Sequence, residues 1–230
     1  MVKRIYVPTS GPDAWRGLLA DPVKQWKPGY SARALATCWE AANGWPPEIV
    51  AILASSVESA LVGAELLLAI PEYKVALPPR GKPSQNDLFV LAKAAEGQLI
   101  AVTIEGKVNE PFGPTIAEWN VARSPGKSAR LRYICARLGL SAELPDGVRY
   151  QLLHRTVSAL LLAQRFNARY AVMMVHSFSP TGEWFEDFQA FTELFGLPSA
   201  EHSVLLQLTV IDGIALFAGW ASGDLTFLHR

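Results

Sequence analysis

Little in this 230-residue chain points to covalent cross-linking or to a membrane. It holds two cysteines, Cys38 and Cys135. Their separation argues against a disulfide framework and a cysteine-based zinc site. The longest apolar runs, such as 66–70 and 160–163, fall far short of the roughly 20 residues that span a bilayer. The first twelve residues carry charge but no apolar stretch ahead of Pro8 and Pro12, so no secretory signal is read and a cytoplasmic location is expected. Repeats and low-complexity tracts are missing as well. Net charge is zero, which by itself argues against a general polyanion binder. What remains is half hydrophobic and 18% charged, the composition of a globular domain long enough for a sizeable core.

The charge is unevenly spread. Residues 119–182 carry nine Lys/Arg against Glu143 and Asp146, whereas residues 183–230 carry seven acids against Arg230. A basic middle segment could face phosphates. Equally, the two segments could lie together and neutralise each other. Both readings stay open at this level.

Residues 1–45 read as an N-terminal helical extension and 46–230 as one α/β domain. A helix is predicted over 31–43, because Leu35, Cys38, Trp39 and Ala42 fall on one face and Ser31 suits an N-cap. Another follows from Pro46 or Pro47. Strands are predicted over 66–77, 88–94 and 99–108, the last two forming a hairpin around Glu96-Gly97-Gln98. Helices follow over 129–138 and 147–166, with Asp146 near the N-cap of the second. An apolar strand over 170–178 has the texture of one buried on both faces. A helix near 184–195 and a closing hairpin, 204–211 with 214–221 around Asp212-Gly213, end the chain. The fold class expected is a mixed central sheet flanked by helices, with a C-terminal β-hairpin.

Along 99–108, Thr103, Glu105 and Lys107 share one face, and Ile100, Val102, Ile104 and Val108 share the other. Gly106 leaves room for close packing behind the charged pair. Hairpin register brings Asp87 within about two residues of Glu105 across the ladder. Two carboxylates and a lysine at a strand end suit metal-assisted phosphodiester hydrolysis. Mg²⁺ binds through one or two carboxylates plus water and phosphate, and a lysine stabilises charge on phosphate oxygens. The competing reading is a surface salt bridge.

The pattern Asp87, seventeen intervening residues, then Glu105-Gly106-Lys107 resembles the PD-(D/E)XK phosphodiesterase superfamily, with its restriction-endonuclease-like fold. It departs from the motif's name in having Asn86, not proline, before Asp87. Many members carry Gln-x-x-x-(Arg/Tyr/Lys) on the following helix, and Gln151 and Arg155 match it at i, i+4. The resemblance spans roughly residues 46–180. It implies a nuclease with Asp87, Glu105 and Lys107 as catalytic residues, Asp87 and Glu105 as ligands of Mg²⁺ or Mn²⁺, and Gln151 and Arg155 contacting phosphate or positioning the lysine. The implied partner is nucleic acid, with DNA ranked ahead of RNA and no membrane. Several members work as dimers, so a homodimer is an open arrangement.

Glu72 and Glu58 are candidates for an extra carboxylate. Glu72-Tyr73-Lys74 is also a second E-x-K, but no acidic residue stands at hairpin spacing from it. Gly126-Lys127-Ser128 resembles the end of a phosphate loop, yet Val121 stands where its first glycine belongs. The histidines show no metal-ligand spacing, and His176 reads as a satisfied core residue. Two alternatives to a nuclease remain. One is a binding or scaffolding protein that keeps the fold without activity. The other is an enzyme acting on a small phosphorylated or nucleotide ligand through the same ion.

Overall fold

The computed structural model describes residues 9–79, 81–121 and 124–229. The described residues open with a 3-10 turn (Pro12–Leu18) and three helices, α1 (Pro22–Gln25), α2 (Ser31–Ala42) and α3 (Pro47–Ala54). An antiparallel meander follows: β1 (Glu65–Val75), β2 (Ser84–Lys93) and β3 (Leu99–Lys107). Helices α4 (Ile116–Trp119), α5 (Pro125–Leu138) and α6 (Tyr150–Arg165) then cross over to β4 (Tyr170–Ser177). Helix α7 (Phe185–Glu193) and the hairpin β5 (Leu205–Ile211) and β6 (Ile214–Ser222) complete the sheet.

All six strands form one mixed sheet in the order β1-β2-β3-β4-β6-β5. β3, β4 and β6 run parallel, and the β1–β2, β2–β3 and β5–β6 pairs are antiparallel. Each face of the sheet is covered. On one side α5, α6 and α7 pack Ile134, Leu153, Leu160 and Phe188 against Phe89, Ala101, Val175 and Trp220. On the other, α2 and α3 bring Leu35, Trp39 and Ile52 against Val90, Val102, Met174 and Phe217. The alternation read along 99–108 therefore divides the two cores as expected. Residue types account for β4: every position from Tyr170 to Ser177 is buried, so the strand is apolar on both faces.

Local chemistry sets most boundaries. Asp212 and Gly213 both have positive φ (50° and 78°), the requirement of a two-residue type I′ hairpin turn. Gly139 at φ 70° ends α5 in the left-handed region. The structure moves three expected starts. β2 begins at Ser84 rather than 88, because Ser84, Gln85 and Asn86 pair with Val75, Lys74 and Tyr73. Helix α5 begins at Pro125, capped by the Ser124 side chain. Gly126-Lys127-Ser128 is thus its first turn and not a phosphate loop. Helix α6 begins at Tyr150 and not near 147, since Val148 accepts from Ile116 N and Arg149 bridges to Thr115, which holds them extended.

Candidate active site

Three neighbouring strands each deliver one carboxylate to the same level. The β2–β3 ladder pairs Leu88 with Ile104, and the next step along that register sets Asp87 across from Glu105. The β1–β2 pairs Pro71↔Leu88 and Tyr73↔Asn86 flank Glu72, which lies across from Asp87. Glu72 has φ 52°, a left-handed conformation that costs a non-glycine residue about 1–2 kcal/mol. Its Oε2 accepts from Gln85 Nε2 at 2.6 Å. Asp87 Oδ2 accepts from the Gly106 amide at 2.8 Å. Behind Gly106 there is no room to spare: a Cβ would meet Leu35 Cδ2 of α2 at 3.3 Å. Glycine thus lets α2 press on the strand that carries the site.

Glu105 is the hub. Its Oε1 accepts from Lys107 Nζ at 2.6 Å and from Gln151 Nε2 at 2.7 Å, and its Oε2 from Arg155 Nε at 2.6 Å. Gln151 and Arg155 reach it together because they sit one helical turn apart on α6. Arg155 continues to Asp87 Oδ1 at 3.8 Å and donates to Ser84 Oγ at 3.1 Å. The Ser84 hydroxyl is also hydrogen-bonded to His154 Nδ1, 2.8 Å away. The Lys107 ammonium also rests 4.8 Å from the Phe112 ring centroid. Glu105 and Lys107 are 3% and 4% exposed, so this is a buried network, not a surface salt bridge.

The charges do not balance. Burial pushes Glu105 up, but Arg155 and Lys107 outweigh it and hold the carboxyl near 2. Asp87 is pushed well up by burial and by the Glu105 charge, and Arg155 and Lys107 offset only part of this. Burial and the facing Asp87 raise Glu72 likewise. Three carboxylates share two cations, and Glu105 takes most of what these provide. Asp87 and Glu72 are left short of positive charge, with hard oxygen donors of the kind that Mg²⁺ and Mn²⁺ accept. They line a cleft of about 580 Å³, with Glu105, Lys107, Gln151 and Arg155 also on its wall. The cleft lies beyond the carboxyl end of β3, where open α/β sheets place ligands.

Glu58 does not join this group. Its side chain caps the 3-10 turn Ser59–Leu61. Its charge, after burial, raises the hydroxyl of Tyr170, the first residue of β4, at the opposite end of the sheet. Lys74 is exposed, and Glu72 belongs to the Asp87 group instead of a second E-x-K site. Glu110 is in a loop, yet it lines the cleft and accepts from the Ser31 amide at 2.8 Å and hydroxyl at 3.1 Å. Tyr30 therefore holds the N-cap position, without a side-chain bond, and a carboxylate from elsewhere serves Ser31, the first residue of α2. Sequence reasoning missed Ser84, Gln85 and Phe112. Gln85 alone left a signal, since it stands two residues before Asp87 in a strand and shares its face.

Much of the basic middle segment is engaged by the chain itself, while Arg132, Arg165 and Arg169 stay exposed. Arg130 donates to the carbonyls of Leu77, Pro79 and Lys82, and Lys127 to that of Trp119. Arg149 pairs with Asp187 and Arg137 with Asp212, joining the basic segment to the acidic tail. Arg165 donates to the Tyr73 hydroxyl and Arg169 to the Gly213 carbonyl. Arg123 lies outside the described residues.

A second polar cluster lies against the opposite face of the sheet. Cys38 of α2, Glu48 of α3 and His176 of β4 bring their ligating atoms within 4.8 Å of one another. Hydrogen bonding decides its character. The Trp39 indole N–H donates to His176 Nδ1 at 3.2 Å, so the ring proton sits on Nε2 and is given to Glu48 Oε1 at 2.8 Å. A metal on Nε2 would move that proton to Nδ1, against another N–H. Burial lowers the His176 pKa below its ordinary value. Burial and the Glu48 charge push the Cys38 thiol up, keeping it a donor to Glu48 at 3.6 Å. His176 is thus a satisfied core histidine.

Fold and site together define an α/β protein of the mixed-sheet class with an acidic, lysine- and arginine-bearing cleft at the carboxyl end of its parallel strands. Residues 8–225 match the family described as a domain of unknown function, DUF6946. The chain belongs to that family. No curated protein and no solved structure matches it. Among the described residues, no helix is long and apolar enough to cross a membrane.

Proposed function

We propose that this protein is a metal-dependent phosphodiesterase of the restriction-endonuclease-like PD-(D/E)XK kind, acting on nucleic-acid phosphodiesters with Mg²⁺ or Mn²⁺. The observation that carries the reading is the convergence of Asp87, Glu105 and Lys107 in a cleft, with Gln151 and Arg155 reaching Glu105 from the next long helix. Asp87 and Glu105, with Glu72 as a third carboxylate, would hold the ion. The chemistry such an ion supplies when bound is polarisation of the phosphorus centre and a more acidic water. Lys107, fixed between Glu105 and the Phe112 ring, offers its remaining protons to a phosphate oxygen or to the attacking water. Arg155 keeps Glu105 ionised and aimed. Water adds to phosphorus as the bond to the leaving oxygen breaks, giving a phosphomonoester and an alcohol.

A second reading, a binding protein without activity, draws on one observation: both Glu105 oxygens are already engaged by the chain's own donors. Purified protein incubated with single- and double-stranded DNA and RNA, with and without Mn²⁺, separates the two. Mn²⁺-dependent cleavage and a Mn²⁺-induced rise in melting temperature are expected. No cleavage with any divalent ion, and melts indifferent to Mg²⁺ and Mn²⁺, would leave the binding reading in its place.

A further inference from the structure

The cleft is small, and its charge is unsuited to a long polyanion. We infer that its substrate is a phosphodiester flanked by only one or two nucleosides, as in a free dinucleotide or the last linkage of a single strand, and not duplex. This inference rests on the phosphodiesterase reading above.

Size comes first. A space of about 580 Å³ falls within the roughly 300–1,000 Å³ of small-ligand pockets. The segment around Lys24 and Tyr30 forms one wall, and residues 110–114 with Trp119 contribute another. A duplex binder instead spreads contact over about 1,000 Å² or more of its own surface.

Charge agrees with size. Proteins that grip duplex DNA through its backbone make on the order of six to ten phosphate contacts with Lys and Arg. Here the described cations lining the cleft are Lys24, Lys107 and Arg155, against four carboxylates, Glu72, Asp87, Glu105 and Glu110. Two of those cations are committed to Glu105. Outside it, on α5 and α6, Arg130 is bonded to loop carbonyls and Arg137 to the acidic tail, and the exposed arginines are Arg132 and Arg165, too few for the phosphate contacts of a duplex track.

What the rim offers suits one nucleotide. The Lys24 side chain is 83% exposed and pairs with Asp21 at 3.5 Å, a surface contact that a phosphate can replace. Tyr30, 39% exposed, supplies an aromatic face. A base stacks on such a face whatever its sequence, which fits a site lacking a groove-reading element.

Wild-type protein with Mn²⁺ is given four substrates: a dinucleotide, an end-labelled linear single strand, a closed circular single strand and a closed circular duplex. Hydrolysis of the dinucleotide, or of the linear strand from an end, at least tenfold faster than either circle is the expected result. Which of the two open substrates is preferred tells a free dinucleotide from a strand end. Circles opened as fast as the linear strand is trimmed would overturn the inference and leave the phosphodiesterase reading intact. No hydrolysis of any substrate would overturn both. Tyr30→Ala should raise KM about tenfold at nearly constant kcat, with Tyr30→Phe restoring it. An unchanged KM would remove the stacking role.

Discussion

Two buried polar clusters sit on opposite faces of the same sheet, near the carboxyl ends of the same strands. Gly106 of β3 and His176 of β4 are ladder partners, yet the groups around them have opposite characters. Around His176 each donor finds an acceptor: indole to Nδ1, Nε2–H to Glu48, thiol to Glu48. Around Glu105 the bonds are as short, but three carboxylates meet two cations and two of the acids are pushed up towards neutrality. Proximity of ligand-type atoms therefore does not identify a site. A cluster whose protons are fully allotted is structural, and one with a residual charge deficit and an opening has something left to bind.

The largest expected effects are on catalysis. Lys107→Ala and Asp87→Asn should each lower Mn²⁺-dependent cleavage by about 10³-fold, measured as initial rates. Glu48→Gln, in the closed cluster, should leave the rate within twofold. The two cleft substitutions should part company in stability. Lys107 is buried and bonded to Glu105, so its loss should cost about 2 kcal/mol. Asp87→Asn removes a charge that the site lacks cations to balance, so the metal-free protein should be as stable as wild type or more so at pH 8. Urea melts in EDTA read both. An Asp87→Asn variant that keeps full activity would end the comparison.

Arg155→Ala comes next. It strips Oε2 of the buried Glu105 and weakens Ser84, so a loss of about 3 kcal/mol or more is expected. Gln151→Ala, which leaves Glu105 its lysine and arginine, should cost about 1 kcal/mol. Equal losses in denaturant titrations would mean that the hub is not organised around Arg155.

The raised carboxylates and the lowered histidines should also tilt stability oppositely with pH. Asp87 and Glu72 have folded pKa values above their unfolded ones of about 4, so between these limits the folded state binds more protons. Their contribution is complete below the unfolded values and is lost as pH rises through the folded ones. His176 is depressed below its unfolded value of about 6.5, as is His154, held near 3 chiefly by burial. Their contribution is complete above about 6.5 and is lost as pH falls. Melting temperature in EDTA should therefore decline on both sides of a maximum. Mn²⁺ should lift the alkaline side alone, and Asp87→Asn should flatten it. A Mn²⁺ effect confined to the acid side would contradict the assignment.

How much of this was legible in the sequence follows the same physics. Elements with clean periodicity, such as β3, β4 and α6, were readable, and so was the Asp212-Gly213 turn. The register was read to within a residue or two, enough to join Asp87 with Glu105. The start of β2 was hidden because Ser84-Gln85-Asn86-Asp87 are polar. Gln85 and Asp87 line the cleft and Ser84 meets Arg155 and His154, so hydrophobic alternation fails where the site begins. Glu72 could be nominated but not placed, since its left-handed φ is a tertiary outcome. Glu58 could likewise be nominated but not placed, since the sequence does not say which end of the sheet its turn occupies. The Cys38–Glu48–His176 group joins residues up to 138 positions apart and left no spacing signal.

The smallest expected effect tests the closed cluster itself. If the Trp39 indole fixes the His176 tautomer, then ¹⁵N spectra of the wild type should show an unprotonated Nδ1 and a protonated Nε2 at neutral pH. Added Co²⁺ should give no thiolate charge-transfer band from Cys38. Trp39→Phe keeps an aromatic ring but removes the donor, at a cost of about 1–2 kcal/mol. Nδ1 is then free to carry the proton, Nε2 becomes available, and Cys38 and Glu48 already stand beside it. A weak Co²⁺ or Zn²⁺ site should appear in the variant, with cleavage rates unchanged. A Co²⁺–thiolate band already present in the wild type would show that the protons of this cluster are not fully allotted, and the contrast between the two faces of the sheet would fail at its quieter side.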